Sequence, residues 1–173
     1  MSEYNRKRDF NKTKEPKYRV ANKNGFCFVI QHHLARKDHY DFRLEVGGVL
    51  KSWAIPKGPS FNPSDKRLAI EVEDHPLDYR HFEGIIPKGE YGGGTVMIWD
   101  EGIWEALEVK EKSFKFILHG QRLKGKWTLV KFKDNNWLLI KEKDEYAYPV
   151  DISAYNTSIK TGRTMEEIEK NYM

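Results

Sequence analysis

From His39 to Val46 the sequence alternates without a break: Tyr40, Phe42, Leu44 and Val46 are apolar, and His39, Asp41, Arg43 and Glu45 stand between them. Successive side chains of a β-strand point to opposite faces, so this stretch reads as a strand with one face on a core. The other face carries an imidazole, a carboxylate and a guanidinium at steps of two residues. Upstream, the apolar run Phe26-Cys27-Phe28-Val29-Ile30 leads to His33. A hairpin joining 26–33 to 39–46 through Leu34 to Asp38 returns His33 to the polar face. His33, His39 and Asp41 then offer two nitrogens and an oxygen, with positions left for water or substrate. A polar face on an antiparallel strand ordinarily just meets solvent, and from this stretch alone that reading stands beside the metal one.

The rest of the chain continues in short strands. Gly47-Gly48 is a turn of the kind that supplies positive φ, and Val49 to Ile55 follows with Leu50 and Trp53 as anchors, stopped by Pro56-Lys57-Gly58-Pro59. Arg67 to Asp74 sends Leu68, Ile70 and Val72 one way and Arg67, Ala69, Glu71 and Glu73 the other, leaving His75 at the strand exit. Pro87 to Gly94 is turn-rich. Thr95 to Trp99 reads as a strand, Asp100-Glu101-Gly102 as a turn, and 113–119, 125–132 and 137–141 as three further strands, with Asn135-Asn136 turning the last pair. Thr164-x-x-Glu167 is a capping box opening a short helix. The expected fold is all-β and mainly antiparallel: a small closed or partly open barrel with short peripheral helices, since closure removes exposed strand edges. We divide the chain into an N-terminal arm over 1–24, a barrel over 25–145 and a tail with a short helix over 146–173.

Charge is distributed unevenly. Of a net +4, residues 1–24 hold eight Lys/Arg against three acids, a net of +5, which leaves the remainder at −1. A basic arm on a near-neutral body suits contact with a phosphate backbone, and equally a solubilising tail. There is no apolar run long enough to span a bilayer and no secretory h-region, so no membrane partner is expected. The single cysteine, Cys27, lies in an apolar strand pattern and fits a cytoplasmic, reducing location. The five tryptophans are spaced like core anchors rather than a base-stacking platform.

Several groups would suit phosphate: Arg43, Lys57, Arg67 and His75, with Tyr79 four residues beyond. Phosphodiester hydrolysis needs charge neutralised on the phosphoryl oxygens, a positioned nucleophile and a proton for the leaving oxygen. A metal on His33, His39 and Asp41 would activate water, Arg43 would hold the phosphate as a planar fork, and His75 would stabilise or protonate it. Mixed nitrogen and oxygen ligation suits Mn²⁺, or Zn²⁺ in competition, with Co²⁺ a further alternative. His32 should face away from His33, His81 reads as loop surface, and His119 as a strand-end residue before a glycine. Glu71 and Glu73 suit orienting roles or a solvated face alike. Gly92-Gly93-Gly94 lacks the Lys-Ser/Thr of a Walker loop, and no Cys-x-x-Cys or Lys-x-Asp-Gly motif occurs.

Gln31-x-His33, His39-Tyr40-Asp41-Phe42-Arg43-Leu44-Glu45 and Leu50-Lys51-Ser52-Trp53-Ala54-Ile55-Pro56-Lys57-Gly58-Pro59 resemble the 3′-phosphoesterase domain of bacterial DNA ligase D. So do Lys66-Arg67-Leu68-Ala69, Val72-Glu73-Asp74-His75-Pro76-Leu77-Asp78-Tyr79 and Phe82-Glu83-Gly84-Ile85-Ile86-Pro87-x-Gly89-Glu90-Tyr91-Gly92, in the same order. The resemblance runs from about Asp9 to Lys141. It implies a small β-barrel enzyme of end joining that uses Mn²⁺ to remove a 3′-terminal ribonucleoside and then the remaining 3′-phosphate, leaving a 3′-hydroxyl. It further implies His33, His39 and Asp41 as metal ligands, and Arg43 and His75 on the scissile phosphate. Lys57, Arg67 and Tyr79 would be further substrate contacts, and Arg8, Asp9, Glu15 and Glu73 supporting residues. The implied partners are DNA or RNA 3′ ends on a primer–template duplex. A ligase and polymerase would act in trans, since the sequence carries neither domain, and the protein is expected to be a monomer. Two readings of another kind remain: a non-catalytic barrel that tethers nucleic-acid ends, and a metallophosphatase on small phosphates.

Overall fold

The computed structural model describes residues 26–87 and 89–171, and within them nearly all regular structure is antiparallel strand. The strands are β1 (Cys27–Leu34), β2 (Asp38–Val46), β3 (Val49–Ile55), β4 (Arg67–Pro76), β5 (Gly84–Ile86), β6 (Gly94–Lys110), β7 (Ser113–Gly120), β8 (Lys124–Lys133) and β9 (Asn136–Lys141). Their order is β1-β2-β3-β4-β9-β8-β7-β6, and pairing of β1 with β6 closes these eight strands into a barrel; β5 adds to β6 as a ninth. Closure leaves the eight no unpaired edge for another chain to join. The arm over 1–24, with Arg8, Asp9 and Glu15, lies outside the described residues.

The barrel interior is aromatic. Trp53, Trp99, Trp127 and Trp137 are at most 1% exposed and Trp104 5%, so all five tryptophans serve the core. Inward positions of β1 and β2 (Phe28, Ile30, Phe42 and Leu44) pack with them, as the alternation requires. On β4 the inward residue is Ala69, while Leu68 is 39% exposed. A second apolar cluster (Leu50, Leu77, Tyr79, Phe82, Ile86 and Val96) forms on the other face of the sheet. It is built by the 3-10 turn Leu77–His81 and β5, which bring residues 77–86 over the outside of β3 and β6.

Two turns differ from the sequence reading. Asp100-Glu101-Gly102 does not turn: β6 runs through it for 17 residues, Gly102 pairing with Phe28 on one side and Gly120 on the other. A shift of register opposite Ile30 and Gln31 absorbs one residue there and bends the strand instead. Asp100 accepts bonds from the backbone N–H groups of Gln121, Arg122 and Leu123, so its turn chemistry acts on the β7–β8 connection. The last hairpin turns at Asp134-Asn135, with Asp134 at φ 50°, and Asn136 already belongs to β9. The capping box forms as read, Thr164 and Glu167 bonding each other's backbone N–H at 3.0 and 3.2 Å ahead of α1 (Met165–Asn171). Ile152 and Ile168 set the chain after β9 against the barrel core.

Candidate metal and phosphate site

The polar face of β2 is not solvated. Asp41, Arg43 and Glu45 are 7%, 3% and 4% exposed, because residues 77–86 cover the strands beside them. His33 stands directly opposite His39, Gln31 opposite Asp41, and Arg43 opposite Ser52, so three strands contribute to one face. One ligand atom each from His33, His39 and Asp41 lies within 4.8 Å of the other two. His39 Nε2 is 3.3 Å and His33 Nδ1 3.7 Å from Asp41 Oδ2.

The three groups are coupled electrostatically. The Lys37 carbonyl accepts from His39 Nδ1 at 3.0 Å, which turns the Nε2 lone pair of the neutral ring toward Asp41. Burial alone would lower the His39 pKa; the hydrogen bond and charge of Asp41, with the Lys37 carbonyl, outweigh it and raise it. Burial alone would raise Asp41; the Arg43 charge and the imidazoles of His33 and His39 hold it well below the usual carboxylate range. Among the described residues His33 Nε2, which is buried, has no hydrogen-bond partner. Two imidazoles around an ionised carboxylate, one with an orphaned nitrogen, fit a divalent cation of intermediate hardness.

Arg43 is fixed from three sides. Its Nε donates to Gln31 Oε1 at 2.7 Å and its Nη1 to Ser52 Oγ at 2.9 Å, while Nη2 stands 3.5 Å from Asp41 Oδ2. The guanidinium lies 4.9 Å from the centre of the Tyr79 ring. Gln31 in turn donates to the carbonyls of Tyr79 and Phe82, tying β1 to the covering segment. His75 gives its Nδ1 proton to the Glu73 carbonyl at 3.0 Å and meets Tyr79 edge-on. His33, His39, Asp41, Arg43, His75 and Tyr79 line one cavity of about 290 Å³, together with Glu73.

The sequence matches the family model for the DNA ligase D 3′-phosphoesterase domain over residues 31–131. The chain belongs to this family. It is 46% identical over 163 residues to a multifunctional non-homologous end joining protein LigD of Pseudomonas aeruginosa, covering 87% of this chain and 19% of that protein. The multifunctional end joining DNA repair protein LigD of Mycobacterium tuberculosis is 43% identical over 160 residues, covering 87% of this chain and 21% of the relative. The LigD of Mycolicibacterium smegmatis is 42% identical over 158 residues, covering 84% and 21%. The chain thus spans about a fifth of the length of these relatives.

Not every residue singled out in the sequence gathers at this cavity. Lys57 is exposed and Arg67 donates to its carbonyl at 3.2 Å, beside Asp65, and neither lines the cavity. His32 faces away, bonded to Asp38 at 2.6 Å and stacked on Tyr40. His119 is paired with Glu105 on the surface. Glu71 is drawn off by Lys51 and Trp137. Cys27 is half-buried; burial first, then Glu45, pushes its thiol up to about 12. Gln31 and Ser52 were given no role in the sequence, although Gln31 stands two residues before His33; Ser52 reaches the site only through its pairing with Arg43 across β2 and β3. Among the described residues, no helix is long and apolar enough to cross a membrane.

Proposed function

We propose that the protein is a metal-dependent 3′-end-healing phosphoesterase of DNA repair by end joining. It removes a 3′-terminal ribonucleoside as a phosphodiesterase and then the 3′-phosphate as a phosphomonoesterase, leaving a 3′-hydroxyl. The observation that carries this reading is the placing of three ligand atoms within 4.8 Å of each other and, in the same cavity, a buried Arg43 and His75. His33, His39 and Asp41 would hold Mn²⁺, with Zn²⁺ or Co²⁺ as alternatives. Such an ion supplies Lewis acidity and a water of lowered pKa. Arg43 holds the non-bridging phosphoryl oxygens through the N–H groups that Gln31 and Ser52 leave available. His75, oriented by its bond to the Glu73 carbonyl, stabilises the phosphate and protonates the leaving oxygen. Tyr79 keeps the guanidinium plane in place from below. A ligase or polymerase requires the 3′-hydroxyl so produced.

The test uses end-labelled primer–template duplex with one 3′-terminal ribonucleotide, and the same duplex carrying a 3′-phosphate, with and without Mn²⁺. Both should become 3′-hydroxyl ends only with the ion, and Asp41→Ala should abolish both conversions. Phosphate removal alone would reduce the reading to a monoesterase. Binding without conversion in any divalent cation would overturn it in favour of a barrel that tethers ends.

A further inference from the structure

A phosphate held at this site brings its nucleoside with it. The cavity around His33, Asp41 and Arg43 adjoins a groove of about 1010 Å³, and the two share Ala35, Ile86 and Gly92. The groove wall is largely backbone and apolar surface (Leu34, Ile85, Gly93 and Gly94); among the described residues Arg36 is its cation, and Glu90 and Glu169 are its carboxylates. At the mouth of the cavity stands Tyr91, 46% exposed, between Glu90 and Gly92 of the groove wall. Its backbone is set by two turns, Glu90 N–H donating to the Pro87 carbonyl at 3.1 Å and Gly93 N–H to that of Glu90 at 3.0 Å. Gly94 adds a further constraint: at φ +143°, a Cβ there would lie 2.3 Å from the Leu34 carbonyl oxygen, so only glycine lets this loop meet the 34–35 backbone.

An aromatic ring nearly half exposed at the edge of a phosphate site has a specific use. Stacking accepts every base, because each has a π-face, and an enzyme that heals broken ends meets every base there. We infer that the Tyr91 ring stacks on the base of the nucleoside whose 3′-oxygen bears the scissile phosphate, and that the strand leads away along the groove past Leu34 and Arg36. This inference rests on the function proposed above. The retained nucleoside is present in both steps of that reaction, so one platform serves both.

The experiment places 2-aminopurine, a fluorescent base, at the terminal nucleoside of a 3′-phosphorylated primer–template. A parallel duplex has an abasic terminal nucleoside. Wild-type protein at saturation should change the 2-aminopurine emission, Tyr91→Ala should lose most of that change, and Tyr91→Phe should keep it. In turnover, wild type and Tyr91→Phe should favour the base-bearing over the abasic end by about tenfold in kcat/KM, and Tyr91→Ala should lose the preference. Retention of both the emission change and the preference in Tyr91→Ala would overturn the inference. So would equal losses in Tyr91→Phe, which would assign the effect to the hydroxyl. If wild type converts neither end in any divalent cation, the proposed reaction fails while the fluorescence still decides the role of Tyr91.

Discussion

Every nitrogen of Arg43 is engaged by the protein: Nε by Gln31, Nη1 by Ser52 and Nη2 by Asp41. A guanidinium carries five N–H donors in one plane, so about two remain for a ligand, and their direction is dictated by the other three. Lysine offers three donors on a single tetrahedral nitrogen and cannot reproduce that plane. Arg43→Lys would strand the Gln31 amide oxygen in a fully buried position and still miss one oxygen of the phosphate. We expect kcat/KM on a 3′-phosphorylated duplex to fall by about 100-fold, the usual cost of losing a preorganised donor to a charge-bearing group. A lysine variant within fivefold of wild type would mean that a point charge suffices there.

Strand alternation was the most legible part of the sequence, and it placed His39, Asp41 and Arg43 on one face because that face follows from backbone geometry alone. What covers the face was not legible. The burial of Asp41 and Arg43 depends on residues 77–86 crossing over the sheet, a contact remote in sequence. Asp100-Glu101-Gly102 misled for the complementary reason: turn-forming residues can serve a neighbouring turn, as Asp100 does for Gln121 to Leu123. The end of β9 holds another such remote partnership. The Lys141 side chain is wholly buried, donating to Asp144 at 2.7 Å and to the carbonyls of Lys126 and Glu142. Burial pushes Asp144 up, but the N–H groups of Lys126 and Tyr146 and the Lys141 ammonium outweigh it and lower its pKa below 3.8. A carboxyl depressed in the folded state adds stability above its unfolded pKa, lost as pH falls through the folded value. Asp144→Ala should therefore cost about 2 kcal/mol at neutral pH, between the limits for exposed and buried pairs. The difference from wild type should close below pH 3.8, as followed by urea unfolding. A gap that stays constant from neutral pH down to that range would assign the loss to packing.

The barrel divides its work between its faces: an aromatic interior, and an outer face where a covering segment and a groove frame the charged residues. Lys57 and Arg67 fall outside that frame, and sequence order could not show it, because β4 carries Arg67 and His75 at opposite ends. Charge follows a different division, with +5 on residues 1–24 and −1 on everything after. Recognition of a duplex end by the barrel alone would accordingly rest on few phosphate contacts and be weakly salt-dependent, and the arm is where counterion release would arise. Residues 1–16 contain Arg6, Lys7, Arg8, Lys12 and Lys14. Each lysine or arginine that meets a duplex phosphate adds about 0.9 to the magnitude of the slope of log K against log salt. Deleting 1–16 should therefore make the slope shallower by about 2 or more if at least two of these cations touch the backbone. The measurement is fluorescence anisotropy on a 3′-phosphorylated primer–template without divalent metal, from low to physiological salt. The same slope in the truncated and complete chains would separate the arm from nucleic-acid contact and leave it a solubilising segment.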